Sequence, residues 1–218
     1  FSAAICDQVG TFVTSLVGYG ARLDRRNDYL NPTRGFYVDF NQDVAGLGGD
    51  VNFVRTDLEA AWFHGFTKDF ILSVTGSTGY DRYYRAGLTF RGFETAGIGP
   101  RDLSFSRADA LGGKLYGIGT VELTVPTFLP EQYGIKAALF SDVGTLGKLD
   151  KRELQFRPGD IACDLPDPSD PTKLLTTPVV IGARNPCIRD DLSLRASAGV
   201  SIFWKSPMGP IRFDFSRV

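Results

Sequence analysis

The chain carries one histidine and one methionine in 218 residues. The single imidazole, His64 in WFHGF, leaves a hydrolytic or metal-dependent reaction without partners, and no HExxH, GxSxG or Cys/His cluster supplies them. His64 therefore reads as an exposed or satisfied turn residue, and the chain as no enzyme, with no metal and no cofactor. Charge of one sign is also lacking: 24 Lys and Arg stand against 25 Asp and Glu, so no net field draws nucleic acid. No apolar run reaches the roughly 18 residues of a spanning helix. That excludes helical spanning alone, because a membrane strand needs only about 10 alternating residues. No leader is visible at FSAAICDQVG, which reads as the interior of a longer chain. Cysteines number three, without a CxxC. Cys163 and Cys187 share one loop-like segment and are the expected pair in an oxidising compartment, with Cys6 apart and three free thiols as the alternative. The acids of GDIACDLPDPSDP match no EF-hand spacing, and GLGG at 46–49 lacks the lysine and helix of a phosphate cradle.

Glycine and phenylalanine, by contrast, are plentiful at 25 and 17. Glycine is a poor helix former and aromatics favour strands, so the leading class is all-β. Period-two alternation recurs along the chain. In LYGIGTVELTV, Val121, Leu123 and Val125 oppose Thr120, Glu122 and Thr124. In VRTDLEAAW, Val54, Leu58 and Trp62 oppose Arg55, Asp57 and Glu59, and in IRFDFS, Phe213 and Phe215 oppose Arg212, Asp214 and Ser216. LSLRASAGVSIFW, ILSVTGSTGY and FYVDFNQDV follow the same design; TFVTSLVGYGARLD and GIKAALFSDVG fit less well, because Leu16 and Phe140 fall on the polar side. A soluble sandwich explains the alternation as well as a membrane barrel does. Aromatics at apolar strand edges (Trp62, Tyr80, Trp204) suit a lipid-interface girdle. Short turns such as DRRNDYLNPTRG, PTFLPEQYG and KSPMGP alternate with long segments at 81–113 and 146–191, the loop asymmetry of an outer-membrane barrel.

Four stretches, FRGF at 90–93, FSDVG at 140–144, LNPTRG at 30–35 and WKSPMGPIRFDFS at 204–216, resemble in joint order and spacing the carboxy-terminal barrel of BamA-type outer-membrane assembly factors, of the bacterial surface antigen superfamily. The resemblance runs through nearly the whole chain. It implies an antiparallel transmembrane β-barrel of which residues 1–218 supply about eight strands of sixteen, from the eighth to the fifteenth, with the final strand, the first seven and the POTRA domains outside this sequence. It further implies that loop 84–113 enters the lumen, that 146–191 is an external loop, and that Phe90, Arg91, Gly92 and Phe93 form the loop-tip motif. Arg91 would then meet Glu122 and Asp142 on the lumen wall, with Gly92 permitting close backbone approach and Phe93 packing as a plug contact. The implied work is folding and inserting barrel proteins at the bacterial outer membrane. The implied partners are unfolded clients, outer-membrane lipid and, through the POTRA domains, assembly lipoproteins. A two-partner-secretion translocator, exporting a passenger polypeptide through the same barrel, is the alternative. This stretch by itself is expected to be unable to catalyse insertion, and its two open sheet edges should pair, curl shut or aggregate.

Overall fold

Alternating, β-rich sequence with glycine-rich turns yields strands throughout. A computed structural model describes residues 10–83, 90–94, 96–104, 108–127, 129–130, 133–167, 169–190, 192–206 and 208–218; Cys6 lies outside them. The strands are β1 (Leu16–Asp24), β2 (Arg34–Ala45), β3 (Phe53–Gly65), β4 (Ile71–Tyr83), β5 (Arg101–Asp102), β6 (Asp109–Ala110), β7 (Gly113–Val125), β8 (Ile135–Gly147), β9 (Asp164–Pro166), β10 (Leu174–Thr176), β11 (Ile188–Arg189), β12 (Arg195–Ser206) and β13 (Gly209–Arg217). Eight of them form one sheet in the order β1-β2-β3-β4-β7-β8-β12-β13, and every pairing in it is antiparallel. Neighbours in sequence are neighbours in space, as hairpin connections dictate. β3, β4, β7 and β8 each run 13 residues. At about 3.3 Å per residue that is about 43 Å, long enough to cross a ~30 Å hydrocarbon layer at a tilt.

The two faces are inverted relative to a soluble domain. Leu58, Trp62, Val74, Tyr80, Val121, Leu139, Val200 and Trp204 are exposed on one face, whereas Asp142, Ser197 and Ser201 are buried on the other. A sandwich would cover the apolar face first, because that burial is what drives its folding. An apolar face left open while charges are covered is what a strand wall against lipid requires. The polar face is the inner one, since residues from the β4–β7 connection pack against it.

Turn chemistry sets the two ends. β1–β2, β3–β4, β7–β8 and β12–β13 are joined at one end by short turns. Asp28 fixes the first of them by accepting the N–H groups of Leu30 and Asn31, which also holds its carboxyl below the usual range. At the other end lie the β2–β3 hairpin through GLGG and the two long connections. Strand β8 extends to Gly147 and β12 begins at Arg195, so the second long connection spans 148–194 rather than 146–191. Trp62 and Trp204 sit toward the short-turn end and Tyr80 toward the other, all exposed on the apolar face. His64 is exposed between two rings, stacked on Trp62 at 5.5 Å and edge-on to Phe66 at 4.8 Å.

The two long connections build on each other. β11, from the second, pairs with β5, from the first, and β5 pairs with β6. Leu111 of the first packs with Leu149 and Ile188 of the second, and the Leu103 N–H donates to the Cys187 carbonyl at 2.9 Å. Cys163 and Cys187 are joined by a disulfide, packed with Phe156 and Leu165. Among the acids of 159–171, Asp167 accepts from the Ser169 backbone and hydroxyl, Asp170 from those of Thr172, and Asp164 from the Thr176 hydroxyl across β9 and β10.

Candidate functional site

The site begins with one register. Thr120 on β7 stands opposite Asp142 on β8, and Glu122 opposite Phe140. Period two therefore puts Glu122, Phe140 and Asp142 on the same, inner face. A one-residue slip would turn both carboxylates to the apolar side. Next along the sheet, Ser201 of β12 and Arg212 and Asp214 of β13 share that face, with Ser201 opposite Asp214 and Phe203 opposite Arg212.

Onto this wall the loop lays Phe90–Phe93. Phe90 is fully buried with Ile98, Tyr116, Ile118 and Leu146, and Phe93 packs against the same cluster, its ring 5.0 Å from that of Phe90. Complete burial of one phenylalanine stabilises by about 2–3 kcal/mol, enough to seat the tip. Gly92 then makes the turn that seating demands. Its φ is +91°, and an added Cβ would stand 3.0 Å from Ser216 Oγ, 3.1 Å from Val218 Cγ2 and 3.3 Å from Ser197 Cβ. Conformation and space both favour glycine.

Arg91, between the two aromatics, is 8% exposed and Asp142 1%. The guanidinium makes a bidentate pair with Asp142, Nε to Oδ2 at 2.7 Å and Nη2 to Oδ1 at 2.5 Å. Its backbone N–H also donates to Asp142 Oδ2 at 3.3 Å, and Nη1 donates to Glu122 Oε2 at 2.8 Å. A buried guanidinium left without carboxylates would cost several kcal/mol; a planar fork on a carboxylate is the geometry that offsets this. Its carbon also lies 3.5 Å from the centroid of the Phe140 ring, a cation–π contact.

All of Phe90, Arg91, Gly92, Phe93, Glu122 and Asp142 thus meet in one place, while Cys163 and Cys187 lie apart, in the long connection that pairs with the loop's base. Sequence reasoning missed Phe140, Ser201, Arg212 and Asp214 as members. Arg212 Nε donates to Asp214 at 2.8 and 3.0 Å, and its Nη2 donates to Glu122 Oε2 at 3.0 Å and to Ser201 Oγ at 3.0 Å. The Ser201 hydroxyl donates to Asp214. The signal for Phe140 was available: a large aromatic on the polar side of a strand broke the alternation because it floors an arginine. Arg212 and Asp214 were on the polar face of IRFDFS, but nothing local connected them to residue 91.

Among known proteins, the Omp85 superfamily domain matches residues 2–217. The outer membrane protein assembly factor BamA of Neorickettsia risticii is 32% identical over 98% of this chain and 26% of its own length. The human sorting and assembly machinery component 50 homolog is 31% identical over 70% of the chain and 36% of its own length. Among solved structures, BamA from Haemophilus ducreyi lacking POTRA domains 1–3 superposes with a TM-score of 0.68 at 20% identity, covering 93% of this chain and 38% of that one. The chain spans about a quarter of the length of the bacterial relative.

Proposed function

The chain belongs to the Omp85 superfamily, and from that membership we propose that it forms part of the barrel wall of a bacterial outer-membrane factor that folds and inserts β-barrel proteins. The observation that carries this reading is the inward loop tip: Arg91 forked on Asp142 and tied to Glu122 on the polar face of a lipid-facing sheet. An open pore has no need of a buried guanidinium held across three strands. A wall that must keep a loop seated in its lumen does. In this reading the loop carrying residues 90–93 plugs the lumen, and the disulfide-bonded connection caps it from outside. The work involves no covalent chemistry. Clients are unfolded outer-membrane proteins, lipid bathes the apolar face, and assembly lipoproteins engage domains elsewhere in the protein. The named relatives are assembly components, so the translocator alternative is not favoured.

The test is client folding in proteoliposomes containing the full-length protein, followed by heat-modified gel mobility. Arg91→Ala should slow folding severalfold and Arg91→Lys should restore part of the loss, because an ammonium cannot make the planar fork. Undiminished folding by a correctly inserted Arg91→Ala protein would overturn the reading.

A further inference from the structure

Two like charges share acceptors on this wall. Glu122 Oε2 accepts from Arg91 Nη1 at 2.8 Å and from Arg212 Nη2 at 3.0 Å. Ser201 Oγ accepts from the same two nitrogens at 3.4 and 3.0 Å. Guanidiniums this close repel one another, and the contact persists because Glu122, Asp142 and Asp214 surround them.

The two cations differ in what carries them. Arg91 rides on the loop. Arg212 belongs to β13, where Asp214 grips it and the Phe203 ring lies 4.6 Å beneath it. Arg212 therefore stays with the wall whether the loop is docked or withdrawn. If Arg91 leaves, Glu122 keeps a cation, and the cost of departure falls on Asp142 alone. A polar cavity of about 320 Å³, lined by Ser73, Thr75 and Thr120 beside the charged cluster, gives a withdrawing guanidinium room for water.

We propose that Arg212 is a positioning residue that weakens the wall's hold on the Arg91 loop, so that the loop is seated but releasable. A structural brace and a competing charge predict opposite signs. Loss of a brace loosens the loop. Loss of a competitor tightens it, because repulsion disappears while Glu122 and Asp214 become free to serve Arg91. The inference concerns contacts within one chain and stands independently of whether the barrel assembles clients.

The experiment is hydrogen–deuterium exchange of the peptide containing residues 90–94 in the full-length protein in lipid bilayers. The Arg91 amide is a direct reporter, since it donates to Asp142. Arg212→Gln should slow exchange about fivefold, the size expected for one partly screened charge contact. Arg212→Lys should stay near the wild-type rate. Asp214→Asn, which leaves the Arg212 charge unmatched, should speed exchange. In a Glu122→Gln background the Arg212→Gln slowing should shrink, because the shared acceptor has lost its charge. Unchanged or faster exchange in Arg212→Gln overturns the proposal. Should Arg212→Gln fail to yield a heat-modifiable barrel, Arg212→Met, which keeps the length of the side chain over Phe203 without its charge, decides: slower exchange supports the competition, and equal or faster exchange overturns it.

Discussion

The inner face of one sheet is treated in two ways. Under the loop, on β7, β8 and β12, Tyr116, Ile118, Phe140, Asp142, Leu146 and Ser201 are all buried. Across β1 to β3, the same face carries Arg22, Asp39, Asn41, Arg55 and Glu59, with ion pairs longer than those of Arg91: Arg22 to Asp39 at 3.5 Å and Arg55 to Asp81 at 3.3 Å, while Glu59 accepts from the Tyr37 hydroxyl. The halves meet where the Tyr116 hydroxyl donates to Asp57 at 3.1 Å. Both are antiparallel strands of one sheet, but Tyr116, Ile118 and Leu146 give the first half apolar positions on which the loop seats, and so that half carries its charges under a second layer. A covered charge is worth kilocalories because removing its partner leaves it stranded, whereas an uncovered one exchanges its partner for water.

The sharpest way to break this contrast is Asp142→Ala. It takes the bidentate partner from Arg91, leaving Glu122 as its one carboxylate contact among the described residues, and should destabilise the full-length barrel by about 3 kcal/mol. Adding Arg91→Ala should then cost less than the two single changes summed, by about 1–3 kcal/mol. Heat-modified mobility across a temperature series reads both. Strict additivity would mean that the two side chains do not interact. Asp39→Ala, at an equivalent place on the open half, should cost less than about 1 kcal/mol. Equal losses at Asp142 and Asp39 would abolish the distinction between the halves.

Next in size is the staple on the covering layer. Non-reduced peptide mapping should find Cys163 linked to Cys187, and absence of that linkage would remove the cap from the argument. Closing a loop of this length, a separation of 24 residues, stabilises by about 3 kcal/mol on the chain-entropy account. Cys163→Ser with Cys187→Ser should therefore raise amide exchange at Leu103 and Ile188, which the cap holds against the loop's base, while leaving β2 and β3 unchanged.

Two glycines sharpen the comparison further. Gly92→Ala, at positive φ and crowded by three side chains, should cost about 1–2 kcal/mol. Gly76→Ala, on the apolar face with nothing within 4 Å of an added Cβ, should change stability by less than about 0.5 kcal/mol. Of similar small size is Arg55→Gln on the open half, where the part-buried pair with Asp81 should contribute about 0.5 kcal/mol. Thermal stability of the three variants, measured side by side, should set Gly92→Ala apart as the most destabilised.

Much of the architecture was legible in the chain because it is local. Alternation in VRTDLEAAW and TVELTV placed Arg55, Asp57, Glu59 and Glu122 on one face before any neighbour was known, since the period of a strand is fixed by its pleat. The same logic put Asp142 beside Glu122 once FSDVG and TVELTV were read as adjacent strands. The choice between sandwich and barrel was not local. Both use identical strands, so alternation left them level; the resemblance carried by FRGF, FSDVG, LNPTRG and WKSPMGPIRFDFS implied the barrel, and the exposed apolar face with a buried polar one agrees with it. Phe140 marks the boundary between the two kinds of information: its misfit to the alternation was visible in the sequence, but its cause was an arginine 49 positions away.

Sequence by itself determined the eight long strands, their faces, their hairpin order and the asymmetry of short turns and long connections, because each depends on residues a few positions apart; the short strands β5, β6, β9, β10 and β11 inside those connections were not legible in it. It also placed a cation between two aromatics in a segment too broken for a strand. Tertiary structure alone decided that Arg91 shares Glu122 and Ser201 with Arg212, and that β11 of one long connection pairs with β5 of the other. Contacts of that kind depend on the register of several strands at once and on the path of a loop, and no local pattern of side chains encodes either.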